Sequence, residues 1–535
     1  MSEPEWVEYA VWWQVYPLGF VGASTEAGEH PLEHRLTRIV DWLDYAIELG
    51  ASGIALGPVF ASETHGYDTT EYFTIDPRLG DEADFDLLVA EAHSRGLRVL
   101  LDGVFNHVGR GFAPLQRALA EGAAAPEFGW FVDESGGAAA GDEAVRGGGG
   151  SDGRAVGGGG GGGSDGRPVG DGDGDGSDAR AVGGGYGSGA HPRFRVFEGH
   201  DTLVELNHAE PAVADFVVEV MTYWLGRGAD GWRLDAAYAV DSAFWADVLP
   251  RVRHGHPDAY FVGEVLHGDY TAYVEASRLD SVTQYEVWKA IWSSIHDANF
   301  FELDYALGRH NGYLEGFVPL TFVGNHDVTR LATAVGDARH LAHALVVLLT
   351  IGGTPSIYYG DERGLTGLKE QRFGGDDAIR PAFPAAGPAG FGAGRADGAG
   401  AVGAGGAVDG WSVYHLHQNL IGLRRRHPWL HSARTSALKL TNEFYAYEVV
   451  ATDSAPHQGE AAPHQAEAAP AGGGAGHPRR LVVLLNVGDE PFAIDVPRAS
   501  TLVAGDCALA PSGSEGSASG LTATTPPHGW AVIEP

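Results

Sequence analysis

The stretch Gly231-Trp-Arg-Leu-Asp235 decides the fold, together with three other segments built in the same way. These segments are Asp102-Gly-Val-Phe-Asn-His107, Phe261-Val-Gly-Glu264 and Phe322-Val-Gly-Asn-His-Asp327. Each is an apolar run that ends in a carboxylate, Asn, His or Arg, as expected for buried parallel strands with reactive groups at their C-terminal ends. The pattern predicts an active site built on a barrel of parallel strands.

Strand and helix signals alternate along the chain as a (β/α)8 TIM barrel requires, which places the protein in the α/β class. The strand candidates are 11–18, 53–59, 97–106, 230–235, 260–265, 281–286, 321–326 and 354–359. Apolar stripes at helical spacing separate them, as at Phe85, Leu88, Val89 and Ala92. These stripes indicate helices packed on the barrel.

The carboxylates at the strand ends suit glycoside cleavage. Arg233 and Asp235 are two residues apart on a strand and share a face, so the guanidinium is expected to hold the Asp235 carboxylate ionised as a nucleophile. Glu264 closes the next strand in an apolar setting that favours a protonated general acid. Cleavage with retention needs such a pair. The alternative is that these acids are ordinary polar residues at strand ends.

In order, spacing and residue type, the four segments resemble the signature segments of the α-amylase family, glycoside hydrolase family 13. Within this family the chain resembles neopullulanase-like or oligosaccharide-glucosidase-like members, and it is expected to lack the N-terminal module that neopullulanase-like members usually carry. The resemblance implies that Asp327 holds sugar hydroxyls and favours a distorted ring. It also implies that His107 and His326 bond the same sugar.

Two further segments carry finer implications of this resemblance. His65-Gly-Tyr-Asp68 resembles the family segment whose tyrosine stacks on the sugar being cleaved, which makes Tyr67 a platform candidate. Asp376-Asp-Ala-Ile-Arg380 resembles the segment whose arginine, in exo-acting relatives, pairs with the aspartate that corresponds to Asp68. We therefore expect an Asp68–Arg380 pair that closes one end of the cleft, unless Arg380 is a surface arginine.

No cofactor is expected, and no metal is expected to be obligatory. Asn106 is a candidate calcium ligand, but a clear anionic partner is lacking. Asn207 stands where many α-amylases have Asp, and Tyr238 and Ala239 stand where many have Lys and His. These departures weaken the expectation of the usual calcium site and of long-chain starch binding.

The resemblance also implies a domain order. The catalytic barrel is expected at 1–107 and 201–426, interrupted after the third strand by a B domain at 108–200 and followed by an antiparallel β-sandwich at 427–535. Within the B domain, residues 136–190 are a glycine-rich, low-complexity insert with a thirteen-residue repeat, for which we expect disorder rather than a calcium-binding repeat.

Composition limits the partners. The 535-residue chain is 44% hydrophobic and 20% charged, with a formal net charge of −36, which disfavours nucleic acid and anionic membrane. The N-terminal residues lack the layout of a secretory signal, no apolar stretch is long enough to span a bilayer, and the single Cys507 cannot form an internal disulfide. We expect a cytoplasmic protein, and the oligomeric state stays open.

These observations predict a retaining hydrolase that cleaves α-1,4-glucosidic bonds of malto-oligosaccharides, an α-glucan substrate. Ala236 resembles the small residue of relatives that prefer α-1,4 bonds. One alternative is a transglycosylase or isomerase of the same family, such as a trehalose synthase. Another is a non-catalytic sugar-binding member, although such proteins lose catalytic carboxylates that this chain retains.

Overall fold

The computed structural model describes residues 3–135, 192–372, 374–391, 409–452, 479–512 and 520–535. The chain divides into a large unit, Met1–Val132 with Arg195–Pro535, and a small unit, Asp133–Phe194. In the small unit the described ends are paired, because Asp133 and Phe194 form an antiparallel bridge and the Glu134 N–H donates to the Arg193 carbonyl at 2.7 Å. The glycine-rich insert predicted at 136–190 lies outside the described residues.

A barrel of parallel strands forms the centre of the large unit. Its strands are β1 (Trp12–Val15), β2 (Gly53–Leu56), β3 (Arg98–Gly103), β4 (Gly231–Leu234), β5 (Tyr260–Gly263), β6 (Ser281–Val282), β7 (Leu320–Phe322) and β8 (Thr354–Tyr358). They form one eight-stranded sheet in the order β6-β5-β4-β3-β2-β1-β8-β7. A parallel bridge between Thr283 and Leu320 joins the two edges. The predicted TIM barrel is confirmed.

Helices cover the outside of the barrel, so several strands are buried along their whole length. The α-helices are Pro17–Phe20, Thr37–Val40, Leu43–Leu49, Glu82–Ser94, Ala113–Glu121, Pro211–Gly226, Ser242–Gly255, Tyr270–Ser277, Tyr285–His296, Phe300–Tyr313, Leu331–Val335, Leu341–Thr350 and Gly410–Arg426. Helix Glu82–Ser94 buries the predicted stripe and begins with a capping box formed by Asp81 and Asp84. Among the described residues, no helix is both long enough and apolar enough to cross a membrane.

All eight barrel strands are shorter than predicted, and in two of them a helix that begins early is the reason. The first, predicted at 11–18, ends at Val15 because Pro17 starts a helical turn, where its missing N–H and fixed φ are favourable. The sixth, predicted at 281–286, ends at Val282, since helix Tyr285–His296 begins almost at once. Both corrections leave the order of the barrel unchanged.

An apolar cluster fills the barrel below the strand ends that carry the site. Trp12, Leu100, Tyr260 and Phe322 belong to this cluster, as does Val7 from the 3-10 helix Glu5–Tyr9. Trp12 and Tyr260 stack with their ring centroids 6.4 Å apart. This packing gives the polar side chains at the other end of the strands a fixed base.

The C-terminal residues form two antiparallel sheets, as predicted. The strands are β9 (Arg434–Leu440), β10 (Phe444–Val450), β11 (Arg480–Asn486), β12 (Phe492–Pro497), β13 (Thr501–Gly505), β14 (Ala508–Pro511), β15 (Gly520–Thr525) and β16 (Trp530–Glu534). One sheet has the order β9-β10-β11-β16-β13 and the other β12-β15-β14. Their inner faces share a core in which Phe444 and Phe492 stack with centroids 3.6 Å apart. This packing is that of a β-sandwich.

Candidate active site

The parallel register brings three acids to one place. Asp102 on β3 lies beside Arg233 on β4, and the next strand pair aligns Leu234 with Gly263. Asp235 and Glu264 directly follow these last two residues and therefore leave neighbouring strands at the same height. All three carboxyl groups are at least 90% buried.

Arg233 holds the three acids together. Its Nη1 lies 2.7 Å from both carboxylate oxygens of Asp102 and 3.2 Å from Oδ1 of Asp235. Its Nη2 lies 2.9 Å from Oε1 of Glu264. The guanidinium thus contacts Asp235 through Nη1 and Glu264 through Nη2, which fixes the two carboxyl groups relative to each other.

Glu264 has two further donors. The Ala236 N–H donates to Oε2 at 2.9 Å, and the Tyr285 hydroxyl donates to Oε1 at 3.1 Å. Ala236 has left-handed backbone, with φ +46°. The Tyr285 hydroxyl in turn accepts from Nδ2 of Asn325 at 3.0 Å. The acid is therefore oriented by groups from three strand ends.

The expectation that Arg233 keeps Asp235 ionised needs correction. Burial and the neighbouring Glu264 carboxyl raise the pKa of Asp235 well above its ordinary value, and the Arg233 guanidinium opposes them without prevailing. The reason is that this single cation is shared, and Asp102 takes its two shortest contacts. The shared guanidinium therefore does not hold the pKa of Asp235 at its ordinary value.

The rings of Tyr67 and His326 lie side by side next to the acids and are nearly coplanar. Their ring centroids are 5.3 Å apart with the planes at 3°. The Tyr67 hydroxyl bonds Nε2 of His326 and donates to Asp102 Oδ2 at 3.2 Å. On the other side of the ring, His326 Nδ1 is 3.3 Å from Nε2 of Gln14, which comes from β1. The orientation of the histidine is therefore set from both of its nitrogens.

Asp327 is held by the side chains of Arg380 and His326. Its Oδ1 lies 2.9 Å from Arg380 Nη2, and its Oδ2 lies 2.9 Å from His326 Nε2. Although burial raises the pKa of Asp327, these partners lower it below its ordinary value. Asp327 is thus a carboxylate at neutral pH, suited to accept hydrogen bonds from sugar hydroxyls.

The predicted Asp68–Arg380 pair is wrong. Asp68 is buried and accepts from the Thr64 N–H at 3.0 Å and from the Thr64 hydroxyl. Arg380 instead contacts Asp327, Asp376 at 2.8 Å and the His326 carbonyl at 2.9 Å. Other partners satisfy each group, so the closed cleft inferred from their pairing loses its basis.

His107 lies on the other side of Tyr67. Its Nε2 is 3.0 Å from the Tyr67 carbonyl, and burial lowers its pKa to about 4, so the ring is neutral. Phe197 stacks on the imidazole with centroids 4.7 Å apart. Asn106, the candidate calcium ligand, has its Nδ2 3.1 Å from His107 Nδ1 and so orients this ring.

A group of three potential metal-ligating side chains occurs elsewhere in the described residues. It consists of His34, Asp81 and Asp84. Asp81 and Asp84 cap the helix Glu82–Ser94, and His34 Nδ1 bonds Asp84 at 2.6 Å. Hydrogen bonds within the protein explain this cluster.

The structure adds residues that the sequence did not single out. Asp102, Gln14, Tyr285 and Asn325 all contact the predicted residues. Asp102 and Asn325 lie inside two of the four signature segments, so their positions were usable signals. Gln14 and Tyr285 became visible only from the fold.

A barrel whose mouth carries two adjacent buried carboxyl groups and a third, ionised carboxylate has the acids that glycoside cleavage requires. The sequence profile described as "Alpha amylase, catalytic domain" matches residues 14–144 and 189–388. The chain belongs to the α-amylase family.

Relatives and solved structures agree with this assignment. The chain is 30% identical over 387 residues to a cyclomaltodextrinase of Geobacillus thermopakistaniensis, covering 68% of this chain and 57% of that protein. It is 28% identical over 386 residues to an intracellular maltogenic amylase of Bacillus subtilis, with the same two coverages, 68% and 57%. The chain thus spans a little over half of the length of these relatives. The structure of a debranching enzyme from Nostoc punctiforme is similar over 100% of both chains, with a TM-score of 0.69 and 24% identity, and so supports the fold.

Proposed function

We propose that the protein is a retaining glycoside hydrolase that cleaves α-1,4-glucosidic bonds of malto-oligosaccharides. The observation that carries the proposal is the pair Asp235 and Glu264, buried on neighbouring strand ends and held by the two nitrogens of Arg233. The names of the cyclomaltodextrinase and the intracellular maltogenic amylase support an α-glucan substrate. The second name also supports a cytoplasmic location.

In this mechanism Asp235 attacks the anomeric carbon, and Glu264 protonates the oxygen of the leaving sugar. Glu264 then removes a proton from the water that releases the sugar from Asp235. This division of roles requires a proton on Glu264 and an ionised Asp235 when the substrate is bound. Burial excludes water and strengthens the contacts that guide this step.

The sugar being cleaved is proposed to lie against Tyr67, His107, His326 and Asp327. The Tyr67 ring offers a face for the apolar side of the pyranose. Asp327, an ionised carboxylate, accepts from two sugar hydroxyls, and Arg380 holds it in place. We propose that no metal or cofactor takes part.

Two measurements on maltotriose test the proposal. Asp235→Ala should lower turnover by at least about 10⁴-fold without changing the melting temperature by more than a few degrees, because the nucleophile is lost. Asp297→Ala, on an exposed residue, is the matched control and should retain full turnover. Proton NMR of the first product should show the α-anomer, as expected for carboxyl groups about 5–5.5 Å apart. A β-anomer, or turnover that survives Asp235→Ala, would contradict the mechanism.

The alternative activity, transfer to a sugar, uses the same residues and differs only in what resolves the covalent intermediate. Products of maltotriose distinguish the two. Glucose and maltose indicate hydrolysis, whereas longer oligosaccharides or an isomer of maltose indicate transfer. A complete lack of turnover would favour the sugar-binding alternative.

A further inference from the structure

Tyr285 links the proposed general acid to another strand end through a chain of hydrogen bonds. Its hydroxyl donates to Oε1 of Glu264 at 3.1 Å and accepts from Nδ2 of Asn325 at 3.0 Å. At the far end of the chain, Oδ1 of Asn325 accepts from the backbone N–H of Asp327 at 2.9 Å. Glu264, which follows β5, is therefore connected to the peptide of the carboxylate that follows β7.

The direction of every bond in this chain is set by its last member. A backbone N–H can donate but not accept, so the Asn325 atom that faces Asp327 is the carbonyl oxygen. The amide nitrogen then faces Tyr285, and an amide nitrogen also donates and does not accept. The single proton of the Tyr285 hydroxyl is therefore directed at Glu264, and Oε1 is an acceptor.

Packing holds the phenol ring in place. Tyr285 is the first residue of its helix, and its ring lies edge-on to Phe322 and Trp288 with the centroids 4.9 and 5.6 Å away. Asn325 is buried, so bulk water does not compete for its amide. The donor to Glu264 is thus in position before a substrate enters.

The two oxygens of Glu264 differ in the donors that they receive. Oε1 lies 2.9 Å from Nη2 of Arg233 and also accepts from Tyr285, whereas Oε2 accepts from the Ala236 N–H at 2.9 Å. A cation and a phenol oppose a proton on Oε1 more strongly than a peptide N–H opposes one on Oε2. A proton on Glu264 therefore belongs on Oε2, beside the peptide that follows Asp235.

Other titratable groups face Glu264 and Tyr285 from the neighbouring strand ends. They are Asp102, Asp235, Asp327 and Tyr238, with Arg233 as the shared cation. The three aspartates and Tyr238 act on the Glu264 carboxyl through their charge, which bears on both of its oxygens. The hydrogen bond from Tyr285 bears on one.

We propose that Tyr285 is a positioning residue that, oriented by Asn325, keeps Oε1 of Glu264 as an acceptor and leaves the catalytic proton on Oε2. This inference rests on the proposed function. In the first step the O–H bond at Oε2 breaks, and the oxygen that joins the two sugars takes the proton and keeps the electron pair of its broken bond to the anomeric carbon, to which Asp235 bonds. In the second step a water oxygen replaces Asp235 and returns a proton to Oε2.

The profile of kcat/KM for maltotriose against pH tests the role of Tyr285. Tyr285→Phe removes one donor from ionised Glu264, so the variant should keep its catalytic proton to higher pH, and the alkaline limb should move up by about one pH unit. The acidic limb, which reports the nucleophile, should move by less than about 0.3 unit. Tyr445→Phe is the matched control, because Tyr445 is also a buried tyrosine that donates to a carboxylate, Asp304 at 2.8 Å, but lies in the β-sandwich. Its profile should match that of the wild type.

Asn325→Ala tests the direction of the chain. The Tyr285 hydroxyl remains but loses the donor that orients it, so the alkaline limb should move the same way by a smaller amount. The double variant should show the shift of Tyr285→Phe alone, since Asn325 acts on the acid through Tyr285. Shifts that add would overturn the role of Asn325. If Tyr285→Phe fails to fold, the shift in Asn325→Ala decides the matter.

α-Glucosyl fluoride gives a second readout, because fluoride leaves with little need of a proton. Tyr285→Phe should lower kcat/KM for maltotriose about tenfold, and this loss should be at least about three times that for the fluoride. Equal losses on the two substrates, or an alkaline limb that does not move, would overturn this inference and leave the proposed function intact. A wild-type protein that cleaves neither substrate would refute the proposed function itself. Thermal melts of each variant confirm that the fold is retained.

Discussion

Glu362 shows how burial sets the charge of a carboxyl close to the barrel mouth. The residue follows β8 and is fully buried, where it accepts hydrogen bonds from the Tyr45 hydroxyl at 2.9 Å and the Gly360 N–H at 2.7 Å. Burial raises its pKa to about 7, and these neutral donors offset only part of that effect. The folded protein therefore keeps a proton that the unfolded chain releases near pH 4.5.

The direction and size of the resulting pH dependence of stability follow from the difference between the pKa values of Glu362 in the folded and unfolded states. Below about pH 4.5 both states are protonated, and the stability contribution of the neutral carboxyl is fully present. As the pH rises from there through about 7, the unfolded state ionises first and this contribution is lost. The interval between the two pKa values corresponds to about 3 kcal/mol.

Glu362→Gln keeps the shape and cannot ionise. Its free energy of unfolding relative to wild type should therefore rise by about 3 kcal/mol between pH 4.5 and pH 8, measured by urea unfolding with tryptophan fluorescence. Glu5→Gln, on an exposed residue, is the control, and its difference from wild type should not change with pH. The assignment of a neutral buried carboxyl would be refuted if the free energy of unfolding of Glu362→Gln relative to wild type did not change with pH, or if it increased as the pH was lowered.

Two further predictions concern the glycine-rich insert and bound metal, neither of which the proposed reaction is expected to need. Replacement of residues 140–188 by a short glycine–serine linker should change the melting temperature by less than about 2 °C and kcat/KM for maltotriose by less than about threefold, because closing a long loop costs little extra entropy. A loss of most activity would show that the insert shapes the cleft. For the second prediction, dialysis of the wild-type protein against EDTA should leave its melting temperature and its kcat/KM for maltotriose unchanged. A decrease in either value that added calcium reverses would reveal an obligatory metal.

The barrel could be predicted because its signal is local. Each of the four segments changes from apolar to polar at the point where a buried strand reaches the mouth, as at Leu234 and Asp235. The parallel order then places these ends together without knowledge of any single contact. The limits of the strands were less certain, since Pro17 and Tyr285 start helices inside runs that still look extended.

Contacts between distant segments could not be predicted in the same way. Arg380 lies in a loop that bends back through Asp376, so its partner is Asp327 rather than Asp68. Thr64, only four residues from Asp68, satisfies that carboxylate locally. The spacing of motifs shows which side chains reach the mouth, whereas pairing depends on loop geometry that short motifs do not encode.

The sharing of one guanidinium by Asp102, Asp235 and Glu264 has a consequence for how such a protein can change over time. A substitution at any of the three alters the charge that the other two experience, so single losses of activity do not add and do not measure one residue's share. If these acids are substituted one at a time during evolution, the intermediate proteins are expected to be inactive. Loops around the mouth do not depend on this shared cation, so new substrate preferences are expected to arise there first.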